Sequence, residues 1–210
     1  MQGLGSIRTF EHIGMSPDSA GMLKEMTDAN GDPVVMDDVY ITYLSGQRQG
    51  AVIEPAHTTG KLTAGFAAPP GRDGQPRIGP EYTFGIYMHK HLNEPLLIIK
   101  TAWGGRSLHR DFRPPSAMPE HLVGVDPESV DDERLKIDIL KTGKTYRMMM
   151  DHVKEVLSDP KKYHPAYDER DGYEVAGFVW FQGYNDIIDK KVYPKRNQKG
   201  GYDLYTELFG

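Results

Sequence analysis

The order of patterned segments predicts an α/β protein, a three-layer α/β/α sandwich built on a mainly parallel sheet. Three observations lead there. Short apolar runs at Pro95–Lys100 and Val175–Phe181 have the composition of strands buried on both faces. Amphipathic helical stretches alternate with them, which is the order of crossover connections in a parallel sheet. Each run ends abruptly in small or polar residues, Trp103-Gly104-Gly105-Arg106 after the first and Gln182-Gly183-Tyr184-Asn185-Asp186 after the second. Loops at the carboxyl ends of parallel strands are where such folds hold ligands, so these are the candidate sites. An ordinary turn is the competing reading of each.

Composition bounds the function. The chain has 210 residues, 38% apolar and 26% charged, enough for one domain with a substantial core. A net charge of −5 gives nucleic acid or an anionic membrane no general reason to bind. With no cysteine there are no disulfides, thiolate metal sites or thiol nucleophiles, while the compartment stays open, export included. No window suits a membrane span, and the amino terminus lacks the basic-then-apolar pattern of a signal peptide.

Taken in order, Met1–Gly31 reads as a loop followed by a short helix near Ser19–Thr27, closed by the turn Asn30-Gly31-Asp32. The acidic residues there begin like a calcium loop, but Pro33 stands where glycine is needed and Val39 where glutamate is needed. Val39–Leu44 is β-branched and aromatic, a strand. Gln47–Gly79 shows no sustained period and reads as a long loop around His57, Thr58 and Thr59. Pro80 opens a helix to Leu92, with Phe84, Tyr87, Met88 and His91 on its inward face and His91 more simply a core histidine than a ligand. Leu108–Arg134 is irregular, and its acidic run from Asp126 to Glu133 reads as a solvated surface. A helix over Thr142–Ser158 carries Tyr146, Met149, Met150, Val153, Val156 and Leu157 in one core-filling stripe. After a loop at Pro160–Gly172 and the strand to Phe181, Tyr202–Phe209 has helical spacing. No linker or repeat divides the chain, so one domain spans 1–210.

In this topology the loops after consecutive strands meet at one rim, which brings Gly104 and Asn185 within reach of each other. A glycine N–H and a carboxamide aimed at one point are the halves of an oxyanion hole. No serine sits in a Gly-x-Ser-x-Gly elbow, and His12, His57, His109 and His164 are scattered over loops without an aspartate at a spacing that marks a base.

Four blocks carry a family likeness: Ile78-Gly79-Pro80-Glu81 with its helix, Ile99 to Leu108, Asp111-Phe112-Arg113-Pro114-Pro115, and Trp180 to Asp186. Together they resemble the carbohydrate-esterase branch of the SGNH (GDSL-like) hydrolases, which includes sialate O-acetylesterases and acetyl xylan esterases. The resemblance implies a flavodoxin-like SGNH sandwich and an acetylated carbohydrate as substrate, with no cofactor and no metal. It implies Gly104 and Asn185 as the oxyanion hole, with Trp103, Arg106, Gln182 and Asp186 beside the sugar. Trp103 as a packing residue and Arg106 as a partner of Asp111 or Asp186 remain the simpler alternatives.

The family's serine stands in a Gly-Gln-Ser-Asn-Met block, and Met1-Gln2-Gly3 looks like its end; the family's histidine belongs to an Asp-x-x-His block after the last helix. Neither residue is assignable here. The expectation is therefore an esterase domain incomplete at both termini, lacking its first strand and inactive as given. A non-catalytic carbohydrate-binding or scaffold module on the same fold is the alternative. A phosphate site at the Gly-Gly loop is weaker, because no Gly-x-Gly-x-x-Gly or Gly-Lys-Ser/Thr pattern accompanies it.

Overall fold

A strand of β-branched and aromatic residues and the helix that packs on it organise the first part of the chain, as seen in a computed structural model that describes residues 2–49 and 52–209. Met1, assigned above to the nucleophile block, Gly50 and Ala51 within the expected long loop, and Gly210 lie outside the described residues. The protein is mixed α/β, and its chain gathers into two units: 1–104 with 155–175, and 105–154 with 176–210.

The first unit contains β1 (Gly5–Ser6), α1 (Arg8–Met15), α2 (Ala20–Met26), β2 (Val39–Gln49), β3 (Val52–Lys61), β4 (Arg77–Ile78), α3 (Pro80–Leu92) and β5 (Leu96–Thr101). Its main sheet has the order β3-β2-β5. β2 pairs in parallel with β5, Val39 opposite Leu96 and Leu44 opposite Thr101, while β3 folds back antiparallel on β2 and β1 pairs antiparallel with β4. Among the described residues the pairing is thus more antiparallel than parallel, which corrects the expectation of a mainly parallel sheet. The source of the error is Gln47–Gly79: instead of a loop, it supplies the strand Val52–Lys61. Threonine, glycine and histidine there satisfy the ladder on an edge strand, where little apolar alternation is required.

Residues of one parity on β2 and β5 share a face. Val39, Ile41 and Tyr43 are buried with Phe10 of α1, Met26 of α2, and Tyr82 and Ile86 of α3. α1 was not expected; Ile7, Phe10 and Ile13, three residues apart, put one side of it on this core. α3 has the expected bounds, but its buried face is Glu81, Tyr82, Gly85 and Ile86, whereas Phe84 and Tyr87 are about 40% exposed at 41% and 38%, and His91 is exposed. Gly85 explains the rotation: a Cβ there would lie 2.2 Å from Leu62 Cδ2, so the helix approaches the sheet through its glycine. On the opposite face Tyr40 meets His164 at 4.6 Å between rings, and His57 meets Tyr163 at 5.8 Å.

The second unit contains α4 (Glu133–Lys141), most of α5 (Lys144–Ser158), α6 (Tyr184–Ile188) and α7 (Asp203–Phe209). α4 lies in a stretch without an expected helix, and its start is marked by Asp132, whose carboxylate accepts from Arg134 N and Leu135 N. Asp126 accepts from Glu128 N in the same way, so the exposed acidic run also caps helical turns. Met149 is buried, in keeping with a core-filling stripe on α5.

The expected strand Val175–Phe181 is not a strand. Among the described residues it pairs with nothing, and Val175, Phe178 and Val179 are 67%, 71% and 67% exposed. Apolar composition marks a segment that gains by burial; it does not supply the neighbouring strand whose N–H and C=O groups a ladder needs. Trp180 alone is well packed, edge-on to Phe112 at 5.2 Å and 5.7 Å from Phe209, its Nε1 donating to Tyr205 Oη.

Candidate functional site

β5 delivers Trp103 and Gly104 at the end of the first unit. Trp103 is buried, Ala102 N donates to Leu44 O, and Tyr43 Oη donates to Ala102 O, so the backbone entering the glycine is held from β2. The side chain of Gln2 lies against Gly104: a Cβ on that glycine would stand 3.0 Å from Gln2 Oε1.

Beneath this point is a buried ionic centre that sequence reasoning missed. Lys100 Nζ donates to Glu81 Oε2 at 2.6 Å, to Phe66 O at 2.6 Å and to Gln2 O at 3.1 Å, and it lies 4.5 Å over the ring of Tyr43. Burial pulls the lysine below its ordinary range, against the opposing charge and hydrogen bond of Glu81. Burial also pushes Tyr43 up to about 12, with the Glu81 charge adding to the effect. Four separate stretches of chain are tied together here. The only hint in the sequence was a lysine closing an apolar strand.

The second unit gathers the remaining candidates. Gly105 takes φ +74°, a conformation that favours glycine, and turns the chain into residues 106–111. The carbonyl of Arg106 accepts from Asn185 Nδ2 and from Gln182 Nε2, both at 3.1 Å. Arg106 itself pairs with Asp111, Nη1 to Oδ1 at 3.1 Å, and Asp111 also accepts from Ser107 N and Ser107 Oγ.

Asp186 is the hub. Only 1% exposed, it accepts from Leu108 N at 2.8 Å, Gln182 Nε2 at 2.7 Å, and His109 N, His109 Nδ1 and Tyr193 Oη at 3.2 Å each. Burial would raise its pKa, but the hydrogen bonds from His109, Gln182 and Leu108 outweigh burial and hold it below the usual carboxylate range. Tyr193, buried beside that charge, is pushed up. Asp186 and Gln182 thus join the 106–111 turn to α6.

Asn185 differs from them. It lines a polar cavity of about 350 Å³ with Gly105, Ser107, His109, Arg110, Asp111, Ile188 and Asp189. One amide N–H is used on Arg106 O, and the second remains for the cavity. Among the described residues, Gly105 N–H meets no acceptor.

The structure therefore brings Arg106, Gln182, Asn185 and Asp186 together in the second unit, and keeps Trp103 and Gly104 in the first. Asp111 joins as the Arg106 partner weighed from the sequence, and His109 and Ser107 join the group unforeseen. The His109–Asp186 pair is 77 residues apart in the chain, so no local spacing could have disclosed it. Among the described residues, no cluster of three or more histidine or acidic side chains could hold a metal ion, and no helix is long and apolar enough to cross a membrane. No family model, no curated protein and no solved structure matches the chain.

Proposed function

We propose that the chain supplies the oxyanion side of a carbohydrate ester hydrolase acting on acetyl groups by a serine mechanism. The observation that carries this reading is Asn185, a carboxamide held on Arg106 O and opening on a polar cavity that Gly105 also lines. Donors held rigid before charge develops are what acyl transfer requires of a protein.

In the full mechanism a serine attacks the acetyl carbonyl, a histidine moves its proton, and the Asn185 amide helps to stabilise the oxyanion. The serine and histidine of that scheme have no counterpart in this sequence. The contact of Gln2 with Gly104 supports the scheme, since the likeness sets the serine block beside that glycine. The parallel pairing of β2 with β5 supports only the α/β character that the likeness implies. Arg106, already paired with Asp111, is left a secondary role at the substrate, and Asp186 and Gln182 act by positioning.

A non-catalytic carbohydrate-binding module is the second reading, favoured by the mixture of donors and acceptors around the cavity, which would bind hydroxyl groups without chemistry. The gene on either side of this sequence separates the two: an upstream Gly-Gln-Ser-Asn and a downstream Asp-x-x-His belong only to the hydrolase. Expressed with them, the protein is expected to hydrolyse p-nitrophenyl acetate, and Asn185→Ala to lower turnover by about 10²–10³-fold. An unchanged rate refutes the oxyanion role.

A further inference from the structure

One side chain of the second unit is set up to move a proton and has no part in the scheme above. His109 Nδ1 lies 3.2 Å from Asp186 Oδ1, and that carboxylate is fixed by Leu108 N–H, the Gln182 amide and the Tyr193 hydroxyl. One ring nitrogen is therefore committed to a buried acceptor. The other, Nε2, lies 3.8 Å from Asp189 Oδ2, beyond hydrogen-bond length, and both residues line the cavity.

The charged and titratable groups around the ring are Asp186 and Asp189 at α6, Arg110 and Asp111 on its own turn, and Tyr193, edge-on at 6.2 Å. Arg113 donates to the His109 carbonyl and so holds the backbone rather than the ring. A carboxylate behind one imidazole nitrogen with the second facing a ligand-sized space is the arrangement of an oriented base.

We propose that His109, backed by Asp186, is a general base that opens on this cavity and activates water against small acyl esters, independently of any serine. A water at Nε2 gives its proton to the ring while its oxygen bonds to the carbonyl carbon. The carbonyl π pair moves to oxygen, with Asn185 Nδ2–H and Gly105 N–H on the cavity wall as donors. On collapse the bond to the alcohol oxygen breaks, and that oxygen takes the proton from Nε2. Ester and water become acid and alcohol, and the imidazole is restored. Asp186 stays ionised throughout and keeps the proton on Nδ1, leaving Nε2 as the acceptor.

The test uses the 210-residue chain with p-nitrophenyl acetate after treatment with a fluorophosphonate, from pH 5 to 9. Expected is a rate above that of free histidine at matched imidazole concentration, rising with pH. His109→Ala and the bulkier His109→Gln should each remove at least about tenfold of it, the lower end of what a positioned base contributes. His121→Ala, an exposed histidine outside the cavity, should leave the rate unchanged. Imidazole ¹⁵N spectra of the unmodified protein at pH 8 should place the His109 proton on Nδ1. A wild-type rate in both His109 variants, a rate no higher than free histidine, or a proton on Nε2 overturns the proposal. Each of these outcomes leaves the serine reading to be judged separately, by its own Asn185 experiment.

Discussion

Replacing Asp186 by asparagine removes one oxygen from a carboxylate that receives five hydrogen bonds, and the cost can be worked through atom by atom. If the new NH₂ takes the place of Oδ2, it faces Leu108 N–H and Gln182 Nε2. Gln182 can turn its amide only by giving up the bond its Oε1 accepts from Tyr205 Oη. Leu108 N–H cannot adapt at all. If the NH₂ takes the place of Oδ1, His109 N–H is the stranded donor, while the imidazole and the tyrosine can reverse their roles. Either way one backbone N–H loses its acceptor, at about 1–3 kcal/mol, and the remaining bonds lose their charge-assisted part. A loss of about 3 kcal/mol in the second unit is expected.

Urea unfolding with hydrogen exchange is the assay, comparing the Leu108 and His109 amides with those of Val39–Leu44. Exchange at 108–109 should rise by about 10²-fold while the strand amides stay slow. The pH dependence has a definite sign. A carboxylate whose folded pKa is depressed contributes stability that is full above its unfolded value, near 3.9, and is lost as pH falls through the folded value. The advantage of the wild type over Asp186→Asn should therefore narrow below about pH 4. A variant within about 0.5 kcal/mol of wild type at pH 7, with unchanged exchange at 108–109, refutes the hub.

Other outcomes follow from the same physical reasoning. Lys100→Met leaves Glu81 buried without its cation and should cost the first unit about 3–5 kcal/mol, most of it recovered by adding Glu81→Leu; equal melting temperatures for single and double variants would exclude this. Tyr43 and Tyr82 are both raised to about 12 by burial. Their neutral forms stabilise fully below the unfolded value near 10, and that contribution is lost as pH rises through 12. Urea midpoints of the first unit should thus fall steadily above pH 10, and less so in Tyr82→Phe. Val179→Ala, at a side chain 67% exposed, should change stability by no more than about 0.5 kcal/mol; a loss above 2 kcal/mol would mean that the segment is buried after all.

How far the sequence could be read depended on whether the information was local. The Pro80 start of α3 was legible because a proline pre-set for the first turn is a property of a single position. The face that α3 buries was not, since it turns on Gly85 meeting Leu62, Ile98 and Val39 from other elements. Residues 52–61 were missed for a related reason: an edge strand is stabilised by its pairing with β2 more than by its own composition. Val175–Phe181 failed the other way, having strand composition and no strand beside it.

The sequence by itself determined that a glycine-bearing turn follows the strand ending near Lys100 and that Gln182–Asp186 carries carboxamide and carboxylate groups, because glycine's backbone freedom and the hydrogen-bonding reach of Asn, Gln and Asp are intrinsic. Only the tertiary structure decided how those residues divide their work: Asn185 opens on a cavity, Asp186 is buried under five donors, and His109 acquires a carboxylate from 77 residues away. The division rests on burial and through-space geometry, which depend on residues that the chain brings together only when it folds.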